Sequence, residues 1–178
     1  MRLLTRTLFG VEVLAWAVWL GGMVVLAIAA PIIFQTITSR DLAGRVFGAM
    51  LSRFFPIAYV CGALILSAGA LRLATNRRMG RLEYARYGIV MAMLVIVLYI
   101  GIGVLGEMAT IQASLPGPIE TLPLDSGPRA RFDQLHKLSE RLMGVDVILG
   151  LILLPLLLER GRPSRDVSAA TRAVHSPS

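Results

Sequence analysis

The sequence predicts an all-α membrane protein: four transmembrane helices in one bundle, with a short amphipathic helix on the outer side between the first two. Hydrophobic residues make up 56% of the 178-residue chain and charged residues 16%, against about 25% charged in an ordinary soluble domain. Mean hydropathy is +0.71. The charges fall in clusters separated by apolar runs close to the ~20 residues that span a bilayer as a helix.

The first run extends from about Leu8 to Phe34, with Glu12 as its only charge. Arg2, Arg6 and the Ala27–Ile28–Ala29 triplet imitate a signal peptide, but the run exceeds the usual h-region of roughly 7–15 residues and Pro31 follows closely. It reads as a retained span, covering residues 8–34. The segment from Thr38 to Arg53 is amphipathic. Leu42, Val46, Phe47, Met50 and Phe54 share one face, and Asp41, Arg45 and Ser52 the other. Thr38 with Asp41 resembles a capping box. This helix is expected to lie on the outer surface or lead into the second span, with a break near Pro56.

The second span covers residues 54–71, ended by Arg72, and the third 87–106, ended by Glu107. Between Ala109 and Arg131 lie Pro116, Gly117, Pro118, Pro123, Gly127 and Pro128, a loop longer than usual connections. The fourth span covers 132–158, its apolar part running from Leu142 to Leu158 except for Asp146. Residues 1–160 form one transmembrane domain, and 161–178 a polar tail expected to be disordered. Small-xxx-small pairs, Ala17/Gly21 and Ala58/Gly62, together with Gly103 and Gly106, mark expected close helix approaches.

Four spans place both termini on one side. With that side inside, 11 of the 18 Lys and Arg residues are inner and seven outer, which favours cytoplasmic termini. The expected location is the cytoplasmic (inner) membrane of a bacterium. The net charge of +7 does not imply nucleic acid, because the basic residues flank apolar segments instead of forming a patch. The single cysteine, Cys61, excludes an intrachain disulfide and reads as a packing residue.

Polar residues inside the spans carry the functional information. On a helical wheel His136, Ser139, Glu140, Met143, Asp146 and Gly150 fall within about 80° of His136. This stripe starts at the outer interface and reaches Asp146, close to mid-membrane. Ionisable residues at that depth face the bundle interior or a wet cavity, so His136, Ser139, Glu140 and Asp146, joined by Glu107, form a candidate outward-facing polar pathway or pocket. The bland alternative has Asp146 hydrogen-bonded to a neighbouring helix and His136 and Glu140 among headgroups. Glu12 lies only a turn or so inside the boundary and reads as a snorkelling or helix-start residue. Trp16, Trp19 and Met23 share its face as packing residues. No metal site is assigned: no HxxxH or CxxC pattern occurs. No phosphate loop, nucleophile elbow or catalytic triad is present either, and no cofactor is required by the sequence.

Two stretches resemble a known family. One contains Trp19–Leu20–Gly21–Gly22, Ala30–Pro31–Ile32–Ile33–Phe34 and Ser39–Arg40–Asp41–Leu42–Ala43–Gly44–Arg45–Val46–Phe47–Gly48. The other is Phe132–Asp133–Gln134–Leu135–His136–Lys137–Leu138–Ser139. Together they resemble the transmembrane protein 205-like family, four-helix membrane proteins with a domain of unknown function, over about Leu8 to Leu158. The resemblance implies the four-helix topology and draws attention to Trp19, Gly21, Gly22, Pro31, Phe34, Arg40, Gly44, His136 and Ser139. It implies no reaction. Where that family commonly has an asparagine after a leucine, this chain has Met143 after Leu142.

Three functions are compatible with these features. The first is small-solute, proton or metal handling through the stripe on the fourth helix. The second is a non-catalytic structural or accessory subunit, partnered by a second copy or another membrane protein. The third is a haem-associated membrane protein. No enzyme activity is expected.

Overall fold

The computed structural model describes residues 2–75, 80–123 and 125–160. Helix α1 spans Arg2–Thr36 and α2 Arg40–Thr75. Helix α3, Arg81–Leu98, runs through a π-helical turn, Tyr99–Val104, into α4, Leu105–Ala113. Helix α5 spans Gly127–Arg160. The α3–π–α4 segment is one continuous rod, so four long helices result. Each packs on the next, and α5 returns to α1, closing an up-down-up-down ring. We call the end holding the start of α1 the terminal end, and the opposite end, with the 37–39 and 114–126 connections, the loop end.

Three segments are long and apolar enough to cross a membrane by length and composition: Thr7–Thr36, Arg40–Thr75 and Arg81–Ala113. Helix α5 completes the bundle, with Asp146 and Arg141 set in its sequence. In lipid every backbone N–H and C=O must be satisfied within the chain, which is why the spans are uninterrupted helices. The chain is a multi-pass membrane protein.

The amphipathic segment before the second span is not a separate element. It forms the first turns of α2, which continues unbroken through Pro56. Continuing past a proline forfeits one backbone hydrogen bond. A break would strand several more away from water, so the helix persists. At 36 residues, α2 is about 54 Å long, well beyond the ~30 Å hydrocarbon layer. The long connection shrinks in the same way, because helix occupies both of its ends and leaves only 114–126 between them. There Ile119 is buried, and Arg129 Nη1 donates to the carbonyls of Glu120 and Leu122 at 2.8 and 2.7 Å. The 161–178 tail lies outside the described residues.

The core is built from Trp16, Trp19, Leu20 and Met23 of α1, Phe54, Phe55, Ala58 and Ile65 of α2, Val90, Met93 and Val97 of α3, and Leu153 of α5. Between helices in lipid, close fit replaces the hydrophobic effect. Gly22 admits the ring of Phe54, Gly62 admits Trp19 and Leu94, Gly69 admits Tyr87, and Gly150 admits Leu20 and Met93. Ala58 and Gly62 are buried as the pattern indicated. Gly21 and Gly106 instead face open space. Small residues are frequent on every face of α1, and spacing alone did not select Gly22 over its neighbour.

Candidate functional site

Two buried polar centres lie at different heights in the bundle. The first is at the terminal end. Glu12 of α1 is only 1% exposed. Arg86 Nη2 of α3 donates to Glu12 Oε2 at 2.7 Å, and the Tyr87 hydroxyl donates to Oε1 at 2.9 Å. Arg72 Nε of α2 lies 3.4 Å from Oε1. Arg86 Nη2 also donates to the Tyr87 hydroxyl at 3.1 Å, and its guanidinium sits 4.9 Å from that ring's centroid. One carboxylate therefore fastens three helices.

Glu12 is thus not a snorkelling or helix-start residue. Its neighbours in space are arginines that sequence reading placed among flanking charges. The signal was present, however. Glu12 lies just inside the first span, Arg72 ends the second and Arg86 precedes the third, and an up-down hairpin order brings those positions to one height. Gly69 makes room for the Tyr87 ring.

The second centre is Asp146, fully buried on α5, with neither carboxylate oxygen hydrogen-bonded. Gly150, one turn away, lies against Leu20 and Met93. By helical rise Asp146 therefore sits at the height of Met23 and Val97, roughly 16 Å from the height of Glu12. Between the two heights lie Trp16 and Trp19, buried on α1, and neither indole N–H has a hydrogen-bond partner. A narrow, apolar-walled cleft lined by Glu12, Trp16, Ile65, Arg86, Val90 and Leu153 has a volume of about 10 Å³, at the lower limit for one water molecule.

The structure distributes the predicted stripe over two faces of α5. Ser139 is on the buried face with Leu135, Asp146, Gly150 and Leu153, and its hydroxyl donates to the His136 carbonyl at 2.7 Å. The side chains of His136 and Glu140 are 43% and 65% exposed and face each other across one turn at 3.2 Å. They flank the buried face. Glu107 is held by Arg131 through two bonds, 2.7 and 3.0 Å, at the loop end. Among the described residues no three His, Cys, Asp or Glu side chains are grouped to hold a metal ion.

Of the family-motif positions, Trp19 is in the core and Gly22 against Phe54. Phe34 packs edge-on to Phe47, their ring centroids 6.3 Å apart, across the α1–α2 turn. Pro31, Arg40 and Gly44 are exposed around the same turn. A family model described as a domain of unknown function, DUF4149, matches residues 14–114. The chain belongs to the DUF4149 family. The DUF4149 match runs from α1 to the end of α4, taking in Trp16, Trp19, Arg72, Arg86, Tyr87 and Glu107. Glu12 precedes the matched stretch, and α5 with Asp146 follows it. No curated protein and no solved structure matches the chain.

Proposed function

We propose that this protein handles protons, or a small solute coupled to them, across the cytoplasmic membrane, with Asp146 as the exchanging group. The observation that carries the reading is a fully buried carboxyl group with no hydrogen-bond partner on either oxygen. An ionised carboxylate in that position would be strongly disfavoured, so the group is held neutral and carries a proton. A carboxylic acid in a bundle interior takes up a proton and releases it when water reaches it. Ser139, on the same buried face toward the loop end, begins an outward approach past His136 and Glu140.

The orientation belongs to the same reading. Both termini lie in the cytoplasm, since the Lys and Arg residues divide 11 to seven in favour of that side. The likeness to the transmembrane protein 205-like family supports the four-crossing topology and adds no reaction. The Glu12 network is the fastening in this scheme and Asp146 the working group.

The test is proton flux into proteoliposomes under an imposed pH gradient. Wild-type protein is expected to dissipate the gradient faster than empty vesicles, and Asp146→Asn is expected to match empty vesicles. Equal rates for wild type and Asp146→Asn would overturn the proposal.

A further inference from the structure

Buried polar groups in native proteins are satisfied by protein or by ordered water, so each orphan needs a physical explanation. Trp16 Nε1, Trp19 Nε1 and both oxygens of Asp146 are buried and without partners. They are not scattered through the bundle. On α1 the sequence of heights runs Glu12, Trp16, Trp19 and then Met23, the height of Asp146. The successive steps are about 6, 4.5 and 6 Å. These are separations along the helix axis; one water between two polar groups bridges roughly 5–6 Å, twice a hydrogen-bond length.

We infer that Asp146 is also reached from the terminal end, by a transient file of water molecules held by the Trp16 and Trp19 indole N–H groups and rooted at Glu12. This rests on the proposal that Asp146 exchanges protons, and extends it from a pocket open to one side to a track that crosses the bundle. Each indole donates to a water oxygen, leaving that water's own protons free to pass along the file. Glu12 and Tyr87 supply the acceptor and hydroxyl at its foot.

The file is transient because the packed core leaves little space. The cleft beside Glu12 and Trp16, about 10 Å³, is at the limit for a single water. Hydration therefore requires side chains to move, and Met23 and Met93, unbranched and adaptable, stand at the upper part of the track. Among the described residues, the buried ionisable groups along the route are Glu12 from α1, Arg72 and Cys61 from α2, Arg86 from α3 and Asp146 from α5, and the part-buried Tyr59 hydroxyl of α2 donates to the Val97 carbonyl at 3.4 Å. Tyr87 is part-buried among them, and His136 stands nearer the loop end of α5. Arg72 and Arg86 stand beside Glu12 at the foot, where the carboxylate compensates part of the positive charge that a proton must pass.

The experiment uses full-length protein reconstituted in one orientation, with infrared detection of the Asp146 carboxyl, assigned through Asp146→Asn. A pH step is applied on either side separately. Protonation is expected to follow steps on the terminal side, and Trp19→Phe, which keeps the bulk and removes the donor, is expected to slow that response about tenfold, the equivalent of one hydrogen bond. The indole N–H groups of the unmodified protein provide a readout without substitution: in heavy water both are expected to exchange under native conditions. A carboxyl that responds only to the loop side, an unchanged rate in Trp19→Phe, or indoles that stay protonated until unfolding would each overturn the inference while leaving an exchanging Asp146 intact. A carboxyl that responds to neither side overturns both proposals.

Discussion

At the residue scale the two buried acids play opposite parts, and the difference is in their partners. Glu12 has two arginines and a tyrosine around it, so its charge is compensated where it stands. Removing one member of a buried ion pair leaves an uncompensated charge and costs about 3–5 kcal/mol. Arg86→Ala is accordingly expected to lower stability in detergent by that amount, measured by denaturant unfolding. A cycle with Glu12→Gln should show strong coupling between the two positions. The ion pair between Glu107 and Arg131 is equally short at its nearer contact, 2.7 Å, but is about half exposed. Breaking it with Glu107→Gln is expected to cost no more than about 1 kcal/mol. In sequence, Glu12 reads as a snorkelling or helix-start residue and Glu107 as a pathway candidate. A charge near a helix end looks disposable in one dimension, and only the meeting of three helices at one height reveals its role. Asp146 was legible because no neighbouring sequence excused an acid in the middle of an apolar run.

At the element scale the helices were readable and their faces were not. Apolar runs of spanning length gave four rods, and the lipid's intolerance of unpaired backbone kept them whole through Pro31, Pro56 and Pro155. The same physics absorbed the amphipathic segment into α2 and shortened the long connection to 114–126. The wheel drawn from His136 placed Asp146 and Glu140 together, whereas the buried face of α5 follows Leu135, Ser139, Asp146 and Leu153. Its steps of four, seven and seven residues are those of a packed helix seam. Choosing between these faces requires the partner helices. Packing predicts the effect of substitutions on α1 and α2. A methyl group at Gly62 would meet Leu94 and Trp19 at 2.9 and 3.0 Å, so Gly62→Val is expected to cost about 1–3 kcal/mol by overpacking. Gly21→Val, with open space around it, is expected to leave unfolding nearly unchanged.

At the scale of the whole molecule, the bundle is a ring of antiparallel helices with an ion cluster low in its core and a solitary acid above. The topology makes a direct prediction. In a Cys61→Ser background, Gly80→Cys at the terminal end and Gly117→Cys at the loop end should react with a membrane-impermeant thiol reagent from opposite sides. On the proposed orientation Gly80→Cys is the position labelled from the cytoplasmic side. The family match reaches from α1 through α4 and so describes the scaffold that surrounds Asp146, while the acid itself stands on the helix beyond it. The proposed function therefore rests on one residue. The most direct measurement is an infrared titration of the purified protein, comparing wild type with Asp146→Asn. A protonated carboxylic band is expected that the substitution removes and that responds reversibly to bulk pH while the protein stays folded. A wild-type spectrum without that band, or a band indifferent to pH up to the point of unfolding, would contradict the proposed function.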